Sequence, residues 1–428
     1  MNTDALPLHP DRHTLFNELH ARPFPLLQPG TRISQLALLH QGCTADDEVR
    51  HLGHLAGLLG QPAPANSTSC HHLDFGSFEL RWERHTEFST YTILREVGGH
   101  EPFAATALSL LPTAWVRHLP GQVLSGLHVE IHDQSCMGST PDGVRPLFEG
   151  HRLISSWVLG HKARLWTAWR LHQDGMGRIL IQNLALNPCQ LGRLVRRLLE
   201  LENYRMMVLL AFPMARQIGP DLAAMSAELA GINAEITAIA GLDDERRLLA
   251  ALAALAARIE HIRSETTFRF TATRAYYDLV QDRLQGLREQ EEPGMQTFSE
   301  FLPRRLAPAF RTVVAVVDQL DALAGRIDRA SELLRTRIDL TLEAQNQDLL
   351  HSMNRRSQAQ LQLQQAVEGL SVVAISYYLV GLVKYAAESL KDMGLLEHPA
   401  LITGLAVPVC AVLVWRGMRR LHRAMPAA

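Results

Sequence analysis

Gly369–Val383 reads GLSVVAISYYLVGLV and Pro399–Trp415 reads PALITGLAVPVCAVLVW. Neither stretch holds a charged residue, and they follow one another with only a short connection between them. A helix needs roughly 20 mostly apolar residues to cross a bilayer, with a lower limit near 17. The first stretch reaches that length through Tyr385-Ala386-Ala387 if Lys384 stretches its ammonium to the interface. The second reaches it with Trp415 as an interfacial anchor, and Pro408 is tolerable in a membrane helix. The pair predicts a transmembrane hairpin over 367–416, against the alternative of a buried hairpin in a soluble domain.

Basic residues orient the hairpin. Arg416, Arg419, Arg420 and Arg423 follow the second stretch, and Arg355 and Arg356 precede the first. The connection between the stretches sets Lys391 beside Glu388, Asp392 and Glu397. Lys/Arg bias therefore predicts cytoplasmic N- and C-termini, an acidic outer loop and a basic cytoplasmic tail over 417–428. The N-terminal residues lack a basic segment followed by an apolar core, which agrees with a cytoplasmic body. The expected location is a bacterial inner membrane, crossed twice.

Upstream lies a heptad pattern. Leu306, Phe310, Val313, Val317, Leu320, Ala324, Ile327, Ser331, Leu334 and Ile338 alternate in steps of four and three. In the same register the seam turns polar at Gln345, Asp348, Ser352, Arg355 and Gln362, then small at Gly369 and Ser376. No proline falls between Ala309 and Glu397, so one helix of about 80 residues, roughly 120 Å long, is expected. Two readings of the seam stand side by side. It packs on helices of the same chain, with Gly369 and Ser376 admitting the second span closely, or identical seams surround a symmetry axis and Gln362, Gly369 and Ser376 line a pore.

Residues 1–187 read as an α+β domain, an α/β sandwich with an antiparallel or mixed sheet and helices on one face. Strands are expected at Thr31–His40, Phe75–Trp82, Thr86–Leu94, Leu124–Ile131, Leu153–Leu159, Arg164–Leu171 and Arg178–Leu184, with hairpins at the second pair and around Gly175. Helices are expected at Asp46–Leu59, capped by Asp46 or Asp47, and at Ala105–Trp115. Residues 188–366 read as an antiparallel helical bundle with the long stalk helix. Its helices are Leu191–Leu210, Pro220–Ala240 and Asp243–Gln290, with breaks at Gly219-Pro220, Gly241 and Glu292-Pro293-Gly294. Phe298–Arg311, with two prolines, reads as a hinge opening the stalk.

Composition bounds the chemistry. The 428 residues suggest about three domains. With 47% apolar and 20% charged residues, the chain is not disordered. Lys and Arg number 42 against 44 Asp and Glu, a net charge of -2, which gives no electrostatic reason to bind nucleic acid. Five scattered cysteines without a CxxC pair form neither a disulfide framework nor a zinc module. Phosphate-loop, dinucleotide, nucleophile-elbow and zincin motifs are absent, so neither an enzyme nor a cofactor is expected.

Histidines are the remaining candidates, 20 in number. His9 and His13 share a face if they lie on one helix, with Asn17, Glu18 and His20 beyond, and could hold a divalent metal. The competing reading is a solvated helix. His128, Glu130 and His132 alternate on one strand face, read here as solvated, and Cys70-His71-His72 alternates faces and cannot converge on one ion.

His9-Pro10, Asn17-Glu18-Leu19-His20-Ala21-Arg22-Pro23, Phe301-Leu302-Pro303-Arg304-Arg305-Leu306-Ala307-Pro308 and the run from Gln364 to Tyr378 carry a resemblance. They resemble the bacterial membrane-anchored family catalogued as domain-of-unknown-function family 3422, over nearly the whole chain. That family brings no assigned activity and no catalytic residues. The layout of cytoplasmic α/β domain, stalk, acidic outer loop and basic tail is also similar to the pentameric CorA-type divalent-cation channels. Their Gly-Met-Asn signature is absent, and Leu379-Val380-Gly381-Leu382-Val383-Lys384 stands in its place. The resemblance implies a homo-oligomer in a lipid bilayer and a divalent cation as cargo, attracted by a ring of Glu388, Asp392 and Glu397. The reading from a different class is a non-conducting anchored scaffold or sensor whose cytoplasmic domain binds a partner or ligand.

Overall fold

The computed structural model describes residues 8–18, 24–65, 69–96, 101–133, 140–239, 241–392 and 398–424. Its elements are helix α1 (Arg12–Glu18), β1 (Thr31–Leu39), α2 (Ala45–Leu58), β2 (Cys70–Asp74), β3 (Glu79–Arg84), β4 (Phe88–Glu96), α3 (Thr113–Arg117), β5 (Gln122–Asp133), α4 (Pro141–Val144), β6 (Ile154–Val158), β7 (Ala163–Thr167), β8 (Gly177–Asn183), α5 (Pro188–Thr237), α6 (Leu242–Leu287), α7 (Phe298–Asp392) and α8 (Pro399–Ala424). The class is α+β. The chain divides into two compact units, one of residues 1–237 and 250–330, the other of 238–249 and 331–428.

In the first unit all eight strands form one sheet in the order β2-β3-β4-β1-β5-β8-β7-β6. Every neighbouring pair is antiparallel except β5 and β8, which run parallel with Val129 beside Ile179. The sheet is therefore mixed. The hairpins β3–β4 and β7–β8 stand where the alternation of the sequence predicts them.

Both faces of the sheet are covered, not one. Ile33, Val129, Ile131, Leu165, Ile179 and Ile181 point to one side and pack with Leu191, Leu194 and Leu198 of α5, Val280 and Leu284 of α6, and Phe298 and Leu302 of α7. Their neighbours in sequence point to the other side. Leu36, Leu80, Trp82, Tyr91 and Ile93 pack there with Val49, Leu52 and Leu55 of α2 and with Ala107, Leu111 and Trp115. Ala105–Trp115, expected as one helix, is a 3-10 turn (Ala107–Leu110) and then α3, separated at Leu111-Pro112. Proline disfavours the helical conformation in the residue before it. Thr44, not Asp46 or Asp47, caps α2; its hydroxyl takes the Asp47 N–H while the Asp47 carboxylate takes the Thr44 N–H.

The long helices ignore most of their prolines. The expected break at Gly219-Pro220 does not occur, and α5 runs through Pro213 and Pro220. Nor is Phe298–Arg311 a hinge, since α7 begins at Phe298 and contains Pro303 and Pro308. A proline removes one backbone hydrogen bond, and the row of buried residues on each helix, such as Leu222, Met225 and Leu229, holds the axis across that defect. The Glu289 carboxylate accepts the Phe298 and Ser299 N–H groups and so caps α7.

The seam of α7 differs by half from the expected one. Leu306, Val313, Leu320 and Ile327 are buried as expected, but the intervening knobs are Ala309, Val316, Leu323 and Ala330. Phe310, Val317, Ala324 and Ser331 are half-buried beside them. Within this unit, Arg258 pairs with Glu228 and Arg283 with Glu200, so residue numbers rise on α6 as they fall on α5. Tyr277 of α6 stacks on Phe310 of α7 at 3.9 Å, and Arg263 pairs with Asp321.

In the second unit Leu248 and Leu334 are buried, and Arg337 pairs with Glu245 and donates to the Ile239 carbonyl. Beyond that point α7 is exposed on nearly every side from Asp339 to Val367. Two helices are long and apolar enough to cross a membrane, α7 through its C-terminal stretch and α8 over Pro399–Arg420, and their apolar windows are almost wholly unburied.

Candidate functional site

The sheet face under residues 101–111 is where polar chemistry concentrates. On β5, His128, Glu130 and His132 do share one face, as the alternation requires, but they are buried rather than solvated. Residues 101–111 pass over that face and take up its polar groups. The Arg32 guanidinium donates to the Ala105 carbonyl at 2.6 Å and the Glu101 carbonyl at 3.1 Å, and its Nε lies 3.5 Å from Glu130. The other contacts of Glu130 are the Phe103 N–H at 2.7 Å and His132 at 3.1 Å. Phe103 holds a left-handed backbone, φ +63°, to offer that N–H.

Next along the face, Ser34, His128 and Asp174 stand in a row. Ser34 Oγ lies 2.8 Å from His128 Nδ1, and His128 Nε2 lies 3.7 Å from Asp174. The Leu108 N–H donates to Ser34 Oγ at 3.0 Å, and the hydroxyl keeps both a hydrogen and a second lone pair with which to meet either tautomer of His128. The order resembles a nucleophile–base–carboxylate triad, but Ser34 is fully buried and out of reach of any substrate. Burial pushes the His128 imidazole down to about 4, so it is neutral. Burial works against ionisation of Asp174, yet the Met176 N–H and Arg178 outweigh it and hold the carboxyl below its usual range.

The row ends in a group that opens to solvent. Glu149 follows a 3-10 turn (Arg145–Phe148) in a left-handed conformation, φ +54°, and Gly150 follows at φ +75°. His151 comes next, and His172 reaches the same point from the β7–β8 connection. The ligand-type atoms of Glu149, His151 and His172 all lie within 4.8 Å of one another. Among the described residues this is the one such group of three or more metal-ligating side chains. The His172 side chain is 0% exposed, while Glu149 keeps 24%. Burial, then Arg178, lowers the pKa of His172, which favours a neutral imidazole.

The buried carboxylate of α2 is already committed. Buried Glu48 accepts from Trp82 Nε1 at 3.0 Å, Arg84 at 2.6 Å and Ser89 at 2.7 Å, so it is a structural anchor for α2. The cleft between the opposite sheet face and α5, lined by Gln35, Thr92, Glu200 and Asn203, has a volume of about 60 Å³. That holds a few waters and no larger ligand.

The residues singled out from sequence lie elsewhere. Helix α1 begins only at Arg12, so His9 precedes it and does not share a helical face with His13; its Nδ1 takes the Asp11 N–H. Both are exposed, and His20 lies outside the described residues. Gln362 and Gly369 are exposed, and nothing stands within 4 Å of a Cβ placed on Gly369, so it admits no neighbouring helix in this chain. Ser376 is half-buried with a hydroxyl oxygen lacking a hydrogen-bond partner. Glu388 faces Lys384 at 3.9 Å, Asp392 is exposed, and Glu397 lies outside the described residues. Glu149, His151 and His172 escaped the sequence reading. Their trace there is a Glu-Gly-His and a His-Gln-Asp, each beside a turn glycine, with 20 residues between the histidines.

No curated protein and no solved structure matches the chain. The family model described as Protein of unknown function (DUF3422) matches residues 7–425, and so the chain belongs to that family.

Proposed function

We propose that the protein is a non-conducting, two-span membrane-anchored sensor whose α+β unit faces the cytoplasm and binds a ligand. The observation that carries this reading is the division of apolar surface. The seam at Leu306, Val313, Leu320 and Ile327 is used up inside the chain, whereas the apolar windows of α7 and α8 are almost wholly uncovered. A seam occupied by the chain's own helices, in what reads as an antiparallel bundle, is not available to surround a symmetry axis. The bare windows are suited to lipid. The Lys/Arg bias around them supports cytoplasmic N- and C-termini in an inner membrane. Lys384 beside Glu388 sets a cation where a cation channel would need attraction.

The test combines location with flux. The protein should stay with the membrane through alkaline extraction, and a fluorescent reporter fused after Ala428 should be active on the cytoplasmic side. Liposomes carrying the full chain should pass no Mg²⁺, Co²⁺ or Ni²⁺, and Lys384→Asn should not change that. Light scattering of the detergent-solubilised chain, corrected for detergent, adds the copy number. A ring of four or five copies together with cation flux that rises in Lys384→Asn would overturn the sensor reading in favour of a CorA-like channel through Gln362, Gly369 and Ser376.

A further inference from the structure

We propose that Glu149, His151 and His172 form a binding site for one divalent transition-metal ion of the zinc or ferrous class. This deepens the sensor reading by naming the ligand of the α+β unit. The donor set is two imidazoles and one carboxylate, which suits borderline first-row ions and leaves coordination positions for water. Magnesium and calcium prefer oxygen donors alone.

Geometry supports a shared ion. His172 Nδ1 lies 3.4 Å from Glu149 Oε2. Two ligands at about 2.1 Å from a tetrahedral ion stand about 3.4 Å apart, so these atoms are spaced as one edge of such a site. The carboxylate is aimed by its other oxygen. Oε1 takes the Gln173 N–H at 3.2 Å and lies 3.6 Å from Arg178, which leaves Oε2 for the imidazole side. Support of this kind orients the ligands of known metal sites. His151 closes the group, its ring 5.7 Å from that of His172.

The independent observation is His172 itself. Its side chain is fully enclosed, its Nε2 has no hydrogen-bond partner, and its Nδ1 meets the Glu149 carboxylate at 3.4 Å, too loosely for a good hydrogen bond. A buried polar group without a partner is rare and calls for a specific reason. An ion held between His172 and Glu149 turns that loose contact into two firm bonds. Phe148 covers the ring from one side at 5.9 Å, while Glu149 and His151 keep some exposure as a way in. The nearby charges are Arg178 and Asp174; Arg178 lies 3.2 Å from Asp174 and 3.6 Å from Glu149 Oε1, so the Arg178 cation is shared between two carboxylates and one net negative charge remains beside the histidines.

The full chain in detergent, stripped with a chelator, is titrated with Co²⁺ followed by visible absorption and with Zn²⁺ by calorimetry. One ion per chain should bind with micromolar or tighter affinity, with ligand-field bands for Co²⁺, and Mg²⁺ should not compete. Glu149→Gln and His151→Ala, on partly exposed positions, should each weaken binding at least tenfold while circular dichroism and the melting temperature of the metal-free chain stay unchanged. His172→Gln should abolish it, and if that variant fails to fold the other two decide. Absence of saturable binding, undiminished binding in the Glu149/His151 double variant, or loss of binding only in His9→Ala/His13→Ala overturns the proposal. Metal binding in a chain that conducts ions would sink the sensor reading and leave this site standing. A non-conducting, membrane-resident chain without metal binding would do the reverse.

Discussion

At the scale of single residues, close approach and burial decide the outcome of substitution. A Cβ on Gly192 would meet the Pro25 carbonyl oxygen at 1.8 Å, where the chain before β1 crosses α5. Gly192→Ala must push two backbones apart and should destabilise by roughly 1–3 kcal/mol or more. Gly231, also on α5, has nothing within 4 Å of such an atom. Gly231→Ala should therefore stabilise by about 0.5–1 kcal/mol through helix propensity. Thermal melts of the two variants separate the effects by sign. Titration gives a second prediction. His51, stacked on Trp115 at 4.4 Å, and His128 are both pushed by burial from the usual 6.5 down to about 4. The unfolded chain takes these protons near 6.5 and the folded chain not until about 4. The unfolded state thus binds more protons in that window, and stability falls as pH drops through it, being fullest above 6.5. Melting temperatures between pH 7.5 and 4 should show this slope, and His51→Phe and His128→Gln should each flatten it.

At the scale of elements, the α7 seam makes the sharpest claim. Val316 is buried and Val317 half-buried, although the two are neighbours of equal size. Val316→Ala should cost roughly 1–3 kcal/mol, and Val317→Ala clearly less. Equal losses in a chemical denaturation series would return the seam to its alternative register. Pattern alone pointed to the row through Phe310 and Val317, although both rows are largely apolar and share Leu306, Val313, Leu320 and Ile327. Which flank becomes the knob depends on where α5 and α6 lie, and that is not local information. The sheet offers the same lesson. The alternation of His128, Glu130 and His132 revealed a common face, but not that residues 101–111 would roof it.

At the scale of the molecule, the apolar windows of α7 and α8 ask for a nonaqueous neighbour. Val409, near the middle of α8, is 55% exposed. In water, Val409→Lys would be harmless or helpful. In a bilayer it should cost about 3 kcal/mol of insertion. A fall in the membrane-bound fraction of Val409→Lys after alkaline extraction, with no change for Leu350→Lys, also exposed, on the polar part of α7, is the expected result. No loss for Val409→Lys would point to a helix covered by protein.

The sequence by itself determined what depends on local periodicity. The α+β class, most strands and both hairpins, the run of long helices and the two apolar stretches follow from alternation, heptads and hydropathy. These properties are set by residues a few positions apart. Tertiary structure alone decided the rest. Whether Pro213, Pro220, Pro303 and Pro308 break their helices depends on packing strong enough to outweigh one lost hydrogen bond each. The second covered face of the sheet, the α7 knobs and the meeting of Glu149 and His151 with His172 depend on segments distant in sequence. A loop after a 3-10 turn and a strand connection 20 residues away share no local signal, and only the folded sheet brings their side chains within reach of one ion.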